Sequence, residues 1–307
     1  MSTPASGRSA PSADAYASRL GSPESVATAL EETGYLADDA LSTTVFLAAS
    51  MQRPLLLEGE PGTGKTALAE ALSDCLEVPL IRLQCYEGID VDQTLYDWDF
   101  ARQVLHLRTL EAAGGVEAAS AEQELYDERF LLERPVLAAL RRSPAVLLID
   151  EVDRADDAFE AFLLEVLSTW SVTIPELGTV TAAEPPLVLL TSNRTRDVHD
   201  ALKRRCLYLW VEHPGLEREV QILRRRAPEV PETLARSCAE VVAALRADGG
   251  LVKPPGVAES LDWARALQRL GENEVDLAAA ARTLGALVKY REDTERVARA
   301  IDRMLAR

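Results

Sequence analysis

Gly59-Glu-Pro-Gly-Thr-Gly64-Lys65-Thr66 fits the spacing G-x-x-x-x-G-K-[ST] at every fixed position. That pattern suits phosphate. The glycines, Gly59, Gly62 and Gly64, let backbone N–H groups wrap phosphate oxygens, Lys65 reaches the β and γ phosphates, and the Thr66 hydroxyl ligates Mg²⁺. Glu60, Pro61, Thr63 and Ala67 complete the segment expected to line the ligand. Further along, Ala145-Val-Leu-Leu-Ile149 runs straight into Asp150 and Glu151. At the end of a buried strand beside a phosphate loop, Asp150 suits the Mg²⁺ that bridges phosphates, and Glu151 suits orienting or deprotonating an attacking water. The same two acids would also serve to cap a helix beginning near Asp156. A second carboxylate beside the metal-binding one makes water the nucleophile, which favours hydrolysis of a nucleoside triphosphate over transfer to an acceptor.

These groups need a scaffold that holds loop and carboxylates at one edge. Pro54–Leu57, Ile81–Cys85, Ala145–Ile149, Leu187–Thr191 and Leu207–Val211 read as short strands. Several are apolar at every residue, which suits strands covered on both faces and so a parallel sheet between layers of helices. Helices are expected at Pro23–Glu32, Asp38–Ser50 and Lys65–Leu76. The first has Pro at its start and Gly34 past its end. After His213-Pro-Gly215 the strand signals stop, and helical periodicity runs through 216–226, 231–247, 257–270, 275–289 and 292–305. The expected fold class is therefore α/β, a three-layer P-loop NTPase sheet followed by a small all-helical lid. The expected domains are a mobile Ser/Ala/Pro/Gly-rich tail (1–21), a nucleotide-binding domain (22–213) and the lid (214–307).

The chain has 307 residues, 50 acidic against 33 basic side chains, and a formal charge of −17. Nucleic-acid binding draws on Lys and Arg that displace phosphate counterions, so this balance argues against a nucleic-acid partner and against anionic lipid. No run approaches the roughly 18 apolar residues of a membrane span, and nothing resembles a secretory leader, so the expectation is a cytoplasmic protein. Cys75, Cys85, Cys206 and Cys238 are scattered, which indicates neither a disulfide framework nor a zinc site. His106, His199 and His213 show no ligand spacing.

On Gly-Glu-Pro-Gly-Thr-Gly-Lys-Thr, Leu-Ile-Asp-Glu-Val-Asp-Arg154, the strand ending Thr191-Ser-Asn193, and Asp200-Ala-Leu-Lys-Arg-Arg-Cys206, the sequence resembles the AAA+ ATPases and, among them, the MoxR group. Arg204-Arg-Cys-Leu-Tyr208 and the segment Lys253 to Arg265 are most similar to CoxD-type members. The resemblance implies ATP and Mg²⁺ as ligands, a homo-oligomeric, hexameric ring, and chaperone work on a protein client. It further implies a von Willebrand factor A-type partner and a client such as the molybdenum hydroxylase carbon monoxide dehydrogenase. A carboxylase freed of inhibitory sugar phosphates is the rival client. A nucleic-acid motor and a non-hydrolysing ATP switch are the rivals from other classes.

By the same resemblance Asn193 is the sensor that touches the attacking water or γ-phosphate, a role an amide at a strand end can perform. Arg205, with Arg204 as alternate, stands where a neighbouring subunit's arginine would neutralise charge on the transferred phosphoryl group; a solvated Lys203-Arg204-Arg205 cluster is the plain reading. Val257 stands where these proteins carry a lid arginine, with Lys253 and Arg265 the nearest cations. Tyr96, Trp98 and Phe100, in an acidic segment after the second strand, suit either partner contact or a hairpin packed on its own domain.

Overall fold

The computed structural model of the chain describes residues 16, 19–112 and 125–305. Strands β1 (Leu55–Glu58), β2 (Leu80–Gln84), β5 (Val146–Asp150), β8 (Leu187–Ser192) and β9 (Leu207–Trp210) form one sheet in the order β2-β5-β8-β1-β9. β2 pairs with β5, β5 with β8 and β8 with β1, all in parallel. Every residue of β1, β5 and β8 is buried, as a sheet covered on both faces requires. The edge strand β2 exposes alternate residues, Arg82 and Gln84 among them. Register aligns Gln84 with Asp150 and Glu58 with Ser192. The last residues of four strands therefore share the carboxyl edge, where ligands of open α/β sheets bind.

Contacts divide the chain into two compact units. One holds the chain up to Ala29, Asp39–Glu58 and Ala69–Leu209; the other holds Leu30–Asp38, Gly59–Leu68 and Trp210–Arg307. The expected division at 213/214 thus falls at Trp210, and the helical unit also gathers two short earlier segments, one of them the phosphate loop. Its helices are Leu216–Arg226, Glu232–Ala247, Val257–Arg269, Leu277–Leu287 and Arg291–Leu305. They close over a core of its own that includes Leu234, Cys238, Trp263, Leu267 and Ile301. Trp263 is fully buried and donates its indole N–H to Thr283 at 2.8 Å.

Of the expected tail, residues 1–15 and 17–18 lie outside the described residues. Tyr16 donates to the carbonyl of Ala145 and Leu20 is buried, so the fold begins ahead of residue 21.

The acidic aromatic segment forms a short helix (Asp92–Leu95), β3 (Tyr96–Trp98) and a helix from Phe100 to Ala112. β3 pairs antiparallel with β4 (Leu131–Glu133), and β6 (Ser171–Ile174) pairs antiparallel with β7 (Gly178–Thr181). Trp98 is buried, edge-on to Tyr96 and Tyr126 at centroid distances of 6.2 and 5.3 Å. Packing is therefore the role of Trp98, with Tyr96 half-buried against it, whereas Phe100 is 66% exposed.

Among the described residues no helix is long and apolar enough to cross a membrane. All four cysteines are buried thiols. Burial pushes the thiols of Cys85, Cys206 and Cys238 up to about 12.

Candidate functional site

The loop that follows β1 depends on glycine twice over. Gly62 and Gly64 have φ of 81° and 95°, left-handed values that a side chain would strain. Gly62 is also pressed against Gly256, which precedes the helix Val257–Arg269: a Cβ on Gly62 would lie 2.8 Å from the Gly256 Cα. The Val257 N–H donates to the Gly62 carbonyl at 2.9 Å, and the Gly256 N–H donates to Glu259 Oε2 at 3.0 Å.

This turn is fixed from behind by a buried ion pair. Arg246 donates to both oxygens of Glu219 at 2.6 and 3.0 Å and, through Nε, to the Pro255 carbonyl at 2.8 Å. Ser260 Oγ adds a bond to Glu219 Oε1 at 2.7 Å. At the expected lid position Val257 thus meets the loop through its backbone. Arg265 is directed to Glu229 and the Arg226 carbonyl, and the Lys253 N–H donates to Asp293.

Within the loop, the buried Lys65 ammonium donates to the carbonyls of Gly59 and Glu60, each at 2.8 Å. Thr66 follows in the first turn of the helix Lys65–Leu76, whose N-terminus faces anions favourably. Glu60 Oε2 lies 3.2 Å from His213 Nε2. Burial, and then the nearby Arg246, hold the His213 imidazole below its ordinary range against the opposing pull of Glu60.

The carboxylates belong to the other unit. Asp150, the last residue of β5, is buried; Thr191 donates to its Oδ1 at 2.5 Å and Arg82 Nη2 to its Oδ2 at 2.5 Å. Glu151 leaves the strand in the left-handed region, at φ 56° and ψ 49°. Such a conformation in a non-glycine residue persists only where neighbours enforce it. Here the Glu151 N–H donates to Thr191 Oγ1 at 2.9 Å. Its carboxylate is held by Asn193 Nδ2 (3.3 Å), Gln84 Nε2 (3.2 Å) and Arg154 Nε (2.9 Å).

The turn that carries Asn193 is tied to the buried Asp153, which accepts from the N–H groups of Asn193 and Thr195 and from the Thr195 hydroxyl. Asp150, Glu151 and Asn193 are therefore brought together as their positions at strand ends imply. The helix cap near Asp156 is supplied by Asp156 itself, which accepts from the Phe159 N–H, so the Asp150–Glu151 pair is not needed for it.

Glu58, buried at the end of β1, accepts from the Tyr208 hydroxyl at 3.1 Å and has Lys203 Nζ at 3.8 Å. Burial and this bond raise the Tyr208 phenol.

Arg205 is occupied locally. Its Nε and Nη2 donate to the Leu167 carbonyl at 3.1 and 3.0 Å, and Nη2 also reaches the Ser168 carbonyl at 3.1 Å. It thereby caps the helix Asp157–Thr169. Arg204, on the short helix Asp200–Arg205, is exposed. Arg53 donates to the carbonyls of Arg204, Arg205 and Cys206 and so fixes the end of that helix.

In one unit an ammonium held inside the loop and a hydroxyl at a helix N-terminus suit the phosphates of a nucleotide; in the other a buried carboxylate that already faces a guanidinium suits a cation such as Mg²⁺. Among the described residues no group of three or more His, Cys, Asp or Glu forms a metal cage. Mg²⁺ in NTPases commonly takes only one or two protein ligands and completes its shell with phosphate and water. Arg82, Gln84, Thr191, Asp153 and Glu58 are contributors that motif reading passed over. The alternation of β2 was the available signal for the first two, since Arg82 and Gln84 fall on one face of a strand.

Residues 54–206 match the family model described as AAA domain (dynein-related subfamily). An uncharacterized protein of Staphylococcus epidermidis is 26% identical over 169 residues, covering 53% of this chain and 57% of that protein. One from Staphylococcus aureus is 27% identical over the same shares. The chain thus spans 57% of the length of these curated relatives. Among solved structures, the RuvB Holliday junction branch migration motor of Thermotoga maritima aligns over 83% of this chain and 67% of that chain, with 16% identity and a TM-score of 0.46. A point mutant of the same RuvB aligns over 86% and 70%, with 15% identity and a TM-score of 0.47. The stretch 54–206, which carries the phosphate loop, Asp150, Glu151, Asn193 and both candidate arginines, is thus similar to the AAA domain of the dynein-related subfamily.

Proposed function

We propose that this chain hydrolyses ATP as a subunit of an AAA+ ring and spends the conformational change on a protein client. The observation that carries this reading is the hold on Glu151. Its carboxylate is placed beside Asn193 and Gln84 by a left-handed backbone that Thr191 secures, an arrangement suited to a base that must meet one water. Gly59 follows Glu58 directly, and Glu58 is in register with Ser192. Connectivity thus begins the loop at the same strand edge as the carboxylates.

In this reading the loop amides and Lys65 bind the β and γ phosphates, and Thr66 and Asp150 hold Mg²⁺. The metal, when bound, neutralises charge on the phosphates and on the developing transition state. Glu151 takes the proton of the attacking water. Asn193 aligns that water and registers the loss of the γ-phosphate. An arginine from the adjacent subunit stabilises the transferred phosphoryl group, which makes a ring a chemical requirement. Arg204 fits that role better than Arg205, since its guanidinium is exposed while that of Arg205 caps a helix.

The motif resemblance supports a hexamer of the MoxR group, CoxD-type, working in the cytoplasm with a von Willebrand factor A-type partner on a client such as a molybdenum hydroxylase; a carboxylase is the second client. The surplus of 50 acidic over 33 basic residues supports a protein client over a nucleic acid. Phosphate release by wild type and by Glu151→Gln tests the core of the proposal. Wild type should turn over under ring-forming conditions. Glu151→Gln should bind ATP without turnover and retain the client in a pull-down. Wild-type protein that binds ATP but releases no phosphate would leave only a nucleotide switch.

A further inference from the structure

We propose that Arg82 is the resting counter-ion of Asp150, occupying the carboxylate oxygen that Mg²⁺ or its water shell needs, so that the metal and this guanidinium compete. The inference rests on the ATPase reading and concerns how its metal site is kept closed before loading.

Arg82 lies on the edge strand β2, in register with Leu148, one strand over from Asp150. Its Nη2 sits 2.5 Å from Asp150 Oδ2. The Asp150 side chain is 5% exposed and that of Arg82 is 52% exposed. One partner is thus fixed, with Thr191 on its other oxygen, while the other can swing into water. The same Nη2 also donates to Gln84 Oε1 at 2.9 Å, and Gln84 Nε2 donates to Glu151 Oε2 at 3.2 Å. A single guanidinium nitrogen therefore links the metal-binding carboxylate, through one amide, to the carboxylate proposed as base.

The residue type decides how the conflict is resolved. Arginine stays charged in proteins, so two cations at one carboxylate repel and one must leave. The half-exposed guanidinium on an edge strand is the one free to go. Its departure removes the donor from Gln84 Oε1, so metal loading also loosens the amide that holds Glu151.

The test is a titration of the full chain with Mn²⁺ at saturating non-hydrolysable ATP analogue, read from the electron paramagnetic resonance signal of free Mn²⁺. Arg82→Gln should bind Mn²⁺ about three- to fivefold more tightly than wild type, the scale of a half-exposed ion pair. Arg82→Lys, which keeps the charge, should stay within about twofold of wild type. Equal or weaker Mn²⁺ binding by Arg82→Gln, or an equal gain in Arg82→Lys, overturns the inference and leaves Arg82 as a support for Asp150. Analogue binding is followed in parallel by fluorescence, both with Mg²⁺ and without it. Analogue bound with unchanged Mn²⁺ affinity sinks the Arg82 inference alone; no analogue bound by wild type or variant sinks the ATPase reading with it.

Discussion

Gly62 and Gly256 touch backbone to backbone: a Cβ on Gly256 would lie 2.7 Å from the Gly62 Cα, and the Val257 N–H is bonded to the Gly62 carbonyl. The helix Val257–Arg269 thus meets the phosphate loop backbone to backbone, through a contact that the two glycines permit. Gly256→Ala must push the loop and this turn apart. Fluorescence anisotropy of a labelled ATP analogue should show affinity reduced about tenfold, equivalent to about 1.4 kcal/mol. Wild-type affinity in that variant would mean that the contact is incidental to nucleotide binding.

The two candidate arginines should separate cleanly. Arg204→Ala is expected to lower phosphate release by at least about 10²-fold with an unchanged melting temperature, since a trans-acting arginine is worth about 10³ or more in rate. Arg205→Ala should instead lose the bonds to the Leu167 and Ser168 carbonyls and destabilise the fold by about 1–3 kcal/mol in denaturant unfolding. Mixing Arg204→Ala with Lys65→Ala protein should restore activity at mixed interfaces. No recovery at any ratio would refute a shared site.

Trp98 and Phe100 are two residues apart yet differ in burial. Truncating the buried Trp98 to Ala should cost about 3–5 kcal/mol of stability. Phe100→Ala, at 66% exposure, should change stability by less than about 0.5 kcal/mol. Urea unfolding of both variants checks the pair, and similar losses in the two would contradict the packing described.

His213 predicts a pH dependence. Its folded pKa is lowered by burial and then by Arg246, so between that lowered value and the unfolded value near 6.5 the unfolded chain binds more protons. Stability therefore rises with pH through this window and is lost as pH falls below about 6.5. Thermal melts from pH 7.5 to 5 should fall more steeply for wild type than for His213→Gln, and parallel curves would remove His213 as the cause.

Much of this was legible in the residues. The continuous apolar runs of β1, β5 and β8 mark strands because a sheet covered on both faces leaves no polar position. The helix Lys65–Leu76 lies where its motif and periodicity put it. The hairpin of Ser171–Ile174 with Gly178–Thr181 leaves little trace in the sequence, being short and only partly buried, with little apolar pattern to announce it. Asp150, Glu151 and Asn193 could be named from strand ends. The roles of Thr191, Asp153 and Arg82 could not, because each acts through a partner some 40 or more positions away in the chain, as Arg82 does on Asp150. The carbonyl partners of Arg205, Leu167 and Ser168, are remote in sequence in the same way.

The four enclosed cysteines have a practical consequence. With Cys85, Cys206 and Cys238 held near 12 and Cys75 also inside the fold, thiolate is scarce at neutral pH and maleimide finds little to attack. A cysteine introduced at Phe100 or Arg204 should therefore label selectively in the wild-type background, and a fluorophore there would test for the proposed ring and client without first stripping the native thiols.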